Sequence, residues 1–142
     1  MKRVELEVKV EAIAEFYDVD AMDVVWHGNH ARFLEMGRRA LLTHIGYGYR
    51  AMKESGYIWP VVEMNIHYTR PISLGTRLEI ATCVTEWDNR LKLAFTIRDA
   101  DTGKRLARAS ATQVAVDMAT GEMQWETPGV FRERIAPFLS PD

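Results

Sequence analysis

The sequence predicts an α+β protein in which an antiparallel sheet of about five strands packs against one long helix. Two observations lead to this prediction. Hydrophobic residues alternate with polar ones in five separate segments, which is typical of strands with one solvated face. Between the first and second segments, from Asn29 onward, hydrophobic residues instead recur every three or four positions, which indicates an amphipathic helix.

The predicted strands end at residues that favour turns. They cover residues 4–10, 62–69, 78–84, 91–97 and 105–118. Pro71 follows the second strand, and proline cannot donate a hydrogen bond to a sheet. Asp88 and Asn89 separate the third strand from the fourth, and Gly103 lies in the turn before the fifth. These boundaries predict a run of hairpins after the helix.

The long helix is predicted to begin after Asn29, whose side-chain oxygen can cap the first turn, and to end near Gly46. Gly37 lies on the apolar side of this helix and predicts a close approach to the sheet. A short helix is expected over residues 49–54. The length predicts a single domain over 1–142, with a tail from about residue 120 that is peripheral to it.

The composition excludes several classes of function. A net charge of −2 gives no general attraction to nucleic acid or anionic membranes. No apolar run reaches the ~20 residues that a membrane span needs, no secretory signal is evident, and a lone cysteine favours a reducing compartment, so the protein is expected to be cytoplasmic. No spacing indicates a metal site or a cofactor. An uncovered sheet face predicts a homodimer or homotetramer.

The segment between the first strand and the helix is dense in aspartate, histidine and asparagine. It contains the runs FYDVD (16–20) and VVWHGNH (24–30), with Glu35 further along the helix. This order of residues resembles the motif of the 4-hydroxybenzoyl-CoA thioesterase-like family, over residues 4–117. The resemblance implies the hot-dog fold, in which a sheet wraps around a central helix. It also implies hydrolysis of an acyl-CoA or acyl-carrier-protein thioester to an acid and a free thiol.

The resemblance also implies catalytic roles for two residues. The family's catalytic carboxylate corresponds by motif position to Asp20, which would act as nucleophile or general base. The backbone amide that binds the thioester carbonyl corresponds to His27, and the side chain of His27 would orient water, protonate the leaving thiolate or cap the helix. A helix N-terminus suits this task because its unpaired N–H groups and partial positive charge stabilise an oxyanion.

Two positions differ from the family motif. Asp23 stands where the family usually has glycine, and His30 stands where it usually has tyrosine. Asp23 is therefore expected either to change the local backbone or to bring a second carboxylate toward Asp20. The same segment makes Asp23, Trp26 and Asn29 candidate substrate contacts.

Cationic residues are expected near the mouth of the site because CoA carries phosphates. Arg90 and Lys92 follow a predicted turn, where the resembling thioesterases present basic residues to the nucleotide, and Arg70 lies at a strand end. Each of the three is either a phosphate contact or a solvated charge. Glu63 shares a strand face with His67, and this face either lines the acyl pocket or is solvated.

Glu35 lies four residues before Arg39, so a surface ion pair explains it as well as catalysis does. Two other functions fit the same fold. A hot-dog hydratase or dehydratase would pair a histidine with an acid elsewhere, and a non-catalytic module would only bind an acyl-CoA or acyl-carrier-protein thioester. Only a thioesterase would release free thiol.

Overall fold

The computed structural model describes residues 2–141. Its strands are β1 (Glu7–Ile13), β2 (Tyr57–Ile58), β3 (Val61–Tyr68), β4 (Arg77–Glu86), β5 (Leu91–Asp99), β6 (Arg105–Gln113) and β7 (Val116–Asp117). Its helices are α1 (His30–His44), α2 (Tyr49–Ser55) and α3 (Gly129–Ile135), with single 3₁₀ turns at His27–Asn29 and Ala136–Phe138. None of these helices is long and apolar enough to cross a membrane.

Five strands form one antiparallel sheet in the spatial order β1, β4, β5, β6, β3, while β2 and β7 form a separate ribbon. Val8 lies opposite Thr82, and Phe95 lies between Thr82 and Ala109. Thr82 and Phe95 of this row lie against Gly37 of α1. Every second residue along β4 and β5 is buried, as the period of the sequence requires. The predicted α+β class is confirmed.

The first strand begins three residues later than the sequence pattern predicts. Val4 lies in an isolated bridge opposite Leu139, and the N–H of Glu5 donates to the carbonyl of Phe138 at 2.7 Å. β1 itself pairs with β4 from Glu7 onward. Alternation marks an extended segment with one buried side, but it does not reveal which partner accepts the backbone hydrogen bonds.

The close approach of α1 to the sheet depends on Gly37. A Cβ atom at this position would lie 2.4 Å from Thr82 Oγ1 and 3.0 Å from Ile80 Cγ2, so any larger residue would push the helix away. Phe33, on the preceding turn of the same helix face, has no exposed surface. The interpretation of Gly37 as a contact point is confirmed, and this contact sets the distance between α1 and the sheet.

The tail contributes directly to the core. Phe131 and Ile135 of α3 have no exposed surface. The ring centroid of Phe131 lies 5.2 Å from that of Trp59 and 5.9 Å from that of Tyr47, and Trp59 Nε1 donates to the hydroxyl of Tyr47 at 3.0 Å. The expectation of a peripheral tail does not describe α3, because this aromatic cluster closes the end of the fold.

β3 lies at one edge of the sheet and is largely uncovered. Seven of its eight residues are exposed, and only Ile66 is partly buried. Val62 and Met64 are 58% and 43% exposed. An edge strand of this length presents unpaired backbone groups together with apolar side chains, and natural proteins usually cover such an edge.

Candidate active site

The loop before α1 is anchored by an ion pair in which the carboxylate is buried and the arginine is partly exposed. The carboxylate of Asp18 accepts from Arg32 Nε at 2.7 Å, from Arg32 Nη2 at 2.6 Å and from the N–H of Glu15 at 2.9 Å. Burial by itself would raise the pKa of Asp18, but the hydrogen bonds and the Arg32 charge outweigh it and lower that pKa. Asp18 is therefore an ionised structural residue that ties the loop to the helix.

The same residue positions the chain on either side of the predicted motif. The carbonyl of Asp18 accepts from the N–H of Trp26 at 3.1 Å and from Asn29 Nδ2 at 2.8 Å. Asn29 precedes α1 but makes no side-chain cap to it. The prediction that Asn29 caps the helix is wrong, because its amide is used to hold the loop instead.

Asp20 lies at the tip of this loop and is exposed. Its Oδ1 accepts from the N–H of Met22 at 2.8 Å and more weakly from that of Val24 at 3.4 Å. Its backbone N–H donates to the carbonyl of Val24 at 2.9 Å, so the loop folds back like a hairpin. One carboxylate oxygen therefore supports the turn, while the other forms no hydrogen bond within residues 2–141.

Asp23 adopts the left-handed backbone conformation with φ of 60°, the only non-glycine residue in the described chain to have a positive φ. Glycine adopts this conformation without strain, and aspartate tolerates it better than most residues. The aspartate thus keeps the conformation that a glycine permits. A φ of 60° is compatible with the glycine of the family motif, and both expectations for this position, a changed backbone and a second carboxylate near Asp20, stay predictions.

Replacing Asp23 tests the cost of this conformation. Asp23→Ala should lower the free energy of unfolding by about 1 kcal/mol, because alanine has no local polar contact to offset the left-handed strain. Asp23→Gly should be at least as stable as the wild type. Urea unfolding of the three proteins checks this order, and equal stability of the alanine and glycine variants would contradict it.

The first two backbone N–H groups of the 3₁₀ turn His27–Asn29 are unpaired within the described residues. No acceptor within residues 2–141 receives a hydrogen bond from the N–H of His27 or Gly28. Trp26 folds over this turn: a Cβ at Gly28 would lie 2.0 Å from its Cζ3 atom, so a larger residue would displace the indole. Two backbone donors are therefore presented at the N-terminal end of α1, where the helix dipole adds partial positive charge.

Of the two residues, His27 lines a cleft of about 300 Å³. Its lining consists of Val25, His27, His30, Tyr68, Thr69, Arg70 and Pro71. The hydroxyl of Tyr68 donates to the carbonyl of His27 at 2.7 Å and so fixes the turn from the side of β3. The cleft therefore combines a rigid helix start with the end of the exposed edge strand.

His30 and Tyr68 belong to the site but were not singled out as site residues by the sequence. The ring of His30 meets that of Tyr68 edge to face at 4.6 Å between centroids, and His30 is only 3% exposed. Burial lowers the pKa of His30, and the nearby carbonyls of Trp26 and His27 only partly oppose this. Those carbonyls do not form hydrogen bonds of normal geometry, because both ring nitrogens lack a partner within the described chain.

The other predicted residues are dispersed. Arg70 lines the cleft, and its Nη1 donates to the carbonyl of Arg105 at 3.2 Å. Asp20 is not among the residues that line the cleft, and neither are the exposed Glu63, which lies opposite Thr112, and the half-buried Lys92. Only His27 and Arg70, of the candidates from the sequence, share this cleft.

Arg90 is already paired. Its Nε donates to Glu86 Oε2 at 3.1 Å, which makes it one half of an i,i+4 ion pair. A phosphate at Arg90 would have to compete with the carboxylate that Arg90 already binds.

Trp26 is half exposed, with its ring centroid 4.6 Å from that of His27.

Glu35 forms a different ion pair from the one predicted. Its Oε2 accepts from Arg38 Nε at 3.0 Å, and its Oε1 accepts from the hydroxyl of Tyr49. Arg39 instead lies over the ring of Tyr49 at 5.9 Å. The expected pairing of Glu35 with Arg39 is wrong because α2 brings Tyr49 beside the helix and orients Arg38 toward the carboxylate.

Comparison with known proteins places this site in context. A family model described as the thioesterase-like superfamily matches residues 14–140. The 1,4-dihydroxy-2-naphthoyl-CoA hydrolase of Thermosynechococcus vestitus is 29% identical over 105 residues, which cover 72% of this chain and 71% of that protein. A DHNA-CoA thioesterase structure from Staphylococcus aureus matches with a TM-score of 0.77 and 24% identity, over 82% of this chain and 78% of that one.

A second solved structure, a 4-hydroxybenzoyl-CoA thioesterase variant in complex with 4-hydroxybenzoyl-CoA, has a TM-score of 0.79 at 21% identity, over 91% of this chain and 98% of that chain. The five-stranded sheet around α1 is therefore the hot-dog fold, as the resemblance implied. The chain belongs to the thioesterase-like superfamily. It is a thioester hydrolase.

Proposed function

We propose that the protein is an acyl-CoA thioesterase, which hydrolyses the thioester to a carboxylic acid and free CoA. The observation that carries the proposal is the pair of unpaired N–H groups at His27 and Gly28, at the N-terminal end of α1 and beside a cleft. A carbonyl oxygen that accepts from these donors is polarised, and the negative charge that develops on it is stabilised. The names of relatives that act on acyl-CoA thioesters favour the same substrate class.

Asp20, which does not itself line the cleft, is the proposed carboxylate of this reaction because of its position in the motif. Either it attacks the carbonyl carbon and forms an anhydride that water then cleaves, or it removes a proton from water as that water attacks. In both routes the C–S bond breaks and the thiolate gains a proton. The carboxylate oxygen that is not used by the turn is available for this role, since Oδ1 alone holds the N–H groups of Met22 and Val24.

A thiol-trapping assay tests the activity directly. Acyl-CoA substrates with short, long and aromatic acyl groups, and one acyl-carrier-protein thioester, should be compared. We expect release of free thiol from at least one CoA thioester. Binding without thiol release would instead identify a hydratase, a dehydratase or a non-catalytic module.

We propose that Arg70 contacts the phosphates of CoA. It lies at the cleft, and its guanidinium donates only to a carbonyl there, whereas Arg90 is paired with the carboxylate of Glu86. Arg70→Met should raise KM for an acyl-CoA by about tenfold, the scale of one lost charge-assisted hydrogen bond, with little change in kcat. The N-acetylcysteamine thioester of the same acyl group, which lacks the nucleotide, is the control, and an equal rise in KM for it would contradict the assignment.

We infer that two chains pair along β3 to form a homodimer. Its exposed edge and its apolar Val62 and Met64 favour this arrangement. The variant V62K/M64K should elute as a monomer, because it places like charges at the proposed interface. Light scattering checks the mass, with Thr85→Lys on β4 as the control for an added surface charge. A wild-type monomer would contradict the inference.

A further inference from the structure

His30 carries a feature that the proposed reaction does not use. It is the first residue of α1, lines the cleft beside His27, and is 3% exposed. Neither Nδ1 nor Nε2 has a hydrogen-bond partner within residues 2–141. Leaving a buried polar group unpaired costs about 1–3 kcal/mol of folding free energy. A histidine that is kept here despite this cost must be explained either by packing or by function.

Packing does not supply that reason. The contact of His30 with Tyr68 is edge to face at 4.6 Å between centroids. A phenylalanine would make the same aromatic contact without burying two polar nitrogens. Tyr68, for its part, is held by its own hydrogen bond to the carbonyl of His27 and needs no polar partner in the ring of His30.

The position of His30 relative to the unpaired donors defines what it can reach. It follows His27 by three residues, and residues three apart on a helical surface have Cβ atoms about 5–6 Å apart. Both residues line the same cleft. A thioester carbonyl held by the N–H of His27 would therefore place the first few atoms of its acyl group near the imidazole. A neutral imidazole has one donor nitrogen and one acceptor nitrogen, and a hydroxyl group can pair with either of them.

We propose that His30 is a specificity-determining residue that selects acyl groups with a hydroxyl substituent within a few bonds of the thioester carbonyl. This inference rests on the proposed function, because it assumes that the carbonyl binds at the start of α1. The hydroxyl gives the buried imidazole a partner, whereas an unsubstituted acyl group leaves it unpaired. The imidazole nitrogens are already unpaired in the free protein, so the discrimination comes from the hydrogen bond that a hydroxylated acyl group adds.

Two matched substrate pairs test the inference: 3-hydroxybutanoyl-CoA with butanoyl-CoA, and 2-hydroxybenzoyl-CoA with benzoyl-CoA. In at least one pair the wild type should favour the hydroxylated member by about tenfold or more in kcat/KM, the scale of one buried hydrogen bond. In His30→Phe that ratio should fall below about twofold, and His30→Gln, which keeps a donor and an acceptor, should restore part of it.

The matched control is His44→Phe, the same substitution at the other end of α1, where the residue is exposed. Its substrate ratios should equal those of the wild type. His30→Phe should also unfold at the same or a higher temperature, because it removes two unpaired buried nitrogens. A wild type without preference in both pairs, or a preference that survives in His30→Phe, would overturn the inference.

A binding measurement separates this inference from the proposed function. The imidazole nitrogens of His30 are observed by NMR in protein labelled with ¹⁵N-histidine and assigned by comparison with His30→Phe. The probes are amide analogues of the four acyl-CoA compounds, which are not hydrolysed as thioesters. Only the hydroxylated analogues should shift the His30 signals. If no thioester is hydrolysed but this shift occurs, the proposed activity fails and the hydroxyl site stands. Hydrolysis with no such shift would overturn the hydroxyl site and leave the proposed activity in place.

Discussion

Asp20→Asn is expected to lower kcat for acyl-CoA hydrolysis by at least ~100-fold, the scale of a lost general base or nucleophile. The asparagine retains an Oδ1 that can accept from the N–H groups of Met22 and Val24, so the loop should keep its shape. What it loses is the negative charge, and with it the ability to attack the carbonyl or to accept a proton from water. Steady-state thiol release measures the effect.

The control for this variant is Asp101→Asn, which removes a carboxylate from the turn between β5 and β6, where it pairs with Arg77. Its activity should be that of the wild type. Circular dichroism and thermal unfolding should show that Asp20→Asn is folded. Activity of Asp20→Asn within threefold of the wild type would remove Asp20 from the mechanism and leave the helix start as the only catalytic element proposed.

Removing Arg32 is expected to destabilise the protein by about 3 kcal/mol, because the carboxylate of Asp18 would remain buried without its charged partner. The side chain of Asp18 is 2% exposed and that of Arg32 is 37% exposed, so the two partners are not equivalent. Asp18→Asn should cost less, since Arg32 can still reach water. Urea unfolding of Arg32→Met and Asp18→Asn tests this order.

The dependence of stability on pH gives this prediction a distinct signature. In the wild type the pKa of Asp18 is lowered by folding, so its contribution is present above the unfolded pKa of about 4 and is lost as the pH falls through the folded value. In Arg32→Met the buried carboxylate has no charged partner and keeps only the N–H of Glu15, which should raise that pKa, and acidification toward pH 4 should then recover stability. The double variant D18N/R32M should be more stable at pH 7 than Arg32→Met. Equal stability of these two proteins would contradict the role of the pair.

Part of the site at the start of α1 was predictable from the sequence. The run from Asp18 to His30 indicated a loop that enters a helix, and its resemblance to a thioesterase motif directed attention to Asp20 and His27. The N–H of His27, to which the resemblance assigns the binding of the carbonyl, has no hydrogen-bond acceptor within residues 2–141, and neither has the N–H of Gly28. The period of hydrophobic residues likewise predicted both the long helix and the strands, because burial of one side leaves a local signature in the sequence.

Other parts of the site have no such local signature. Tyr68 reaches the carbonyl of His27 across 41 residues of sequence, and Arg32 reaches Asp18 across 14. In the sequence, Tyr68 is one apolar residue of an alternating strand, and Arg32 is one charge on a helix. Their partners depend on how β3 and the loop are placed around α1, which the period of neither element specifies.

The sequence by itself determined the α+β class, the long helix with Gly37 at its contact with the sheet, and the loop that bears the thioesterase motif. The tertiary structure alone decided that Asp18 is a buried anchor, that α3 completes the core, and that His30 is enclosed without a partner beside the cleft. The physical reason is that secondary structure follows from patterns within a few residues, whereas burial of a polar side chain depends on segments that meet only when the chain is folded.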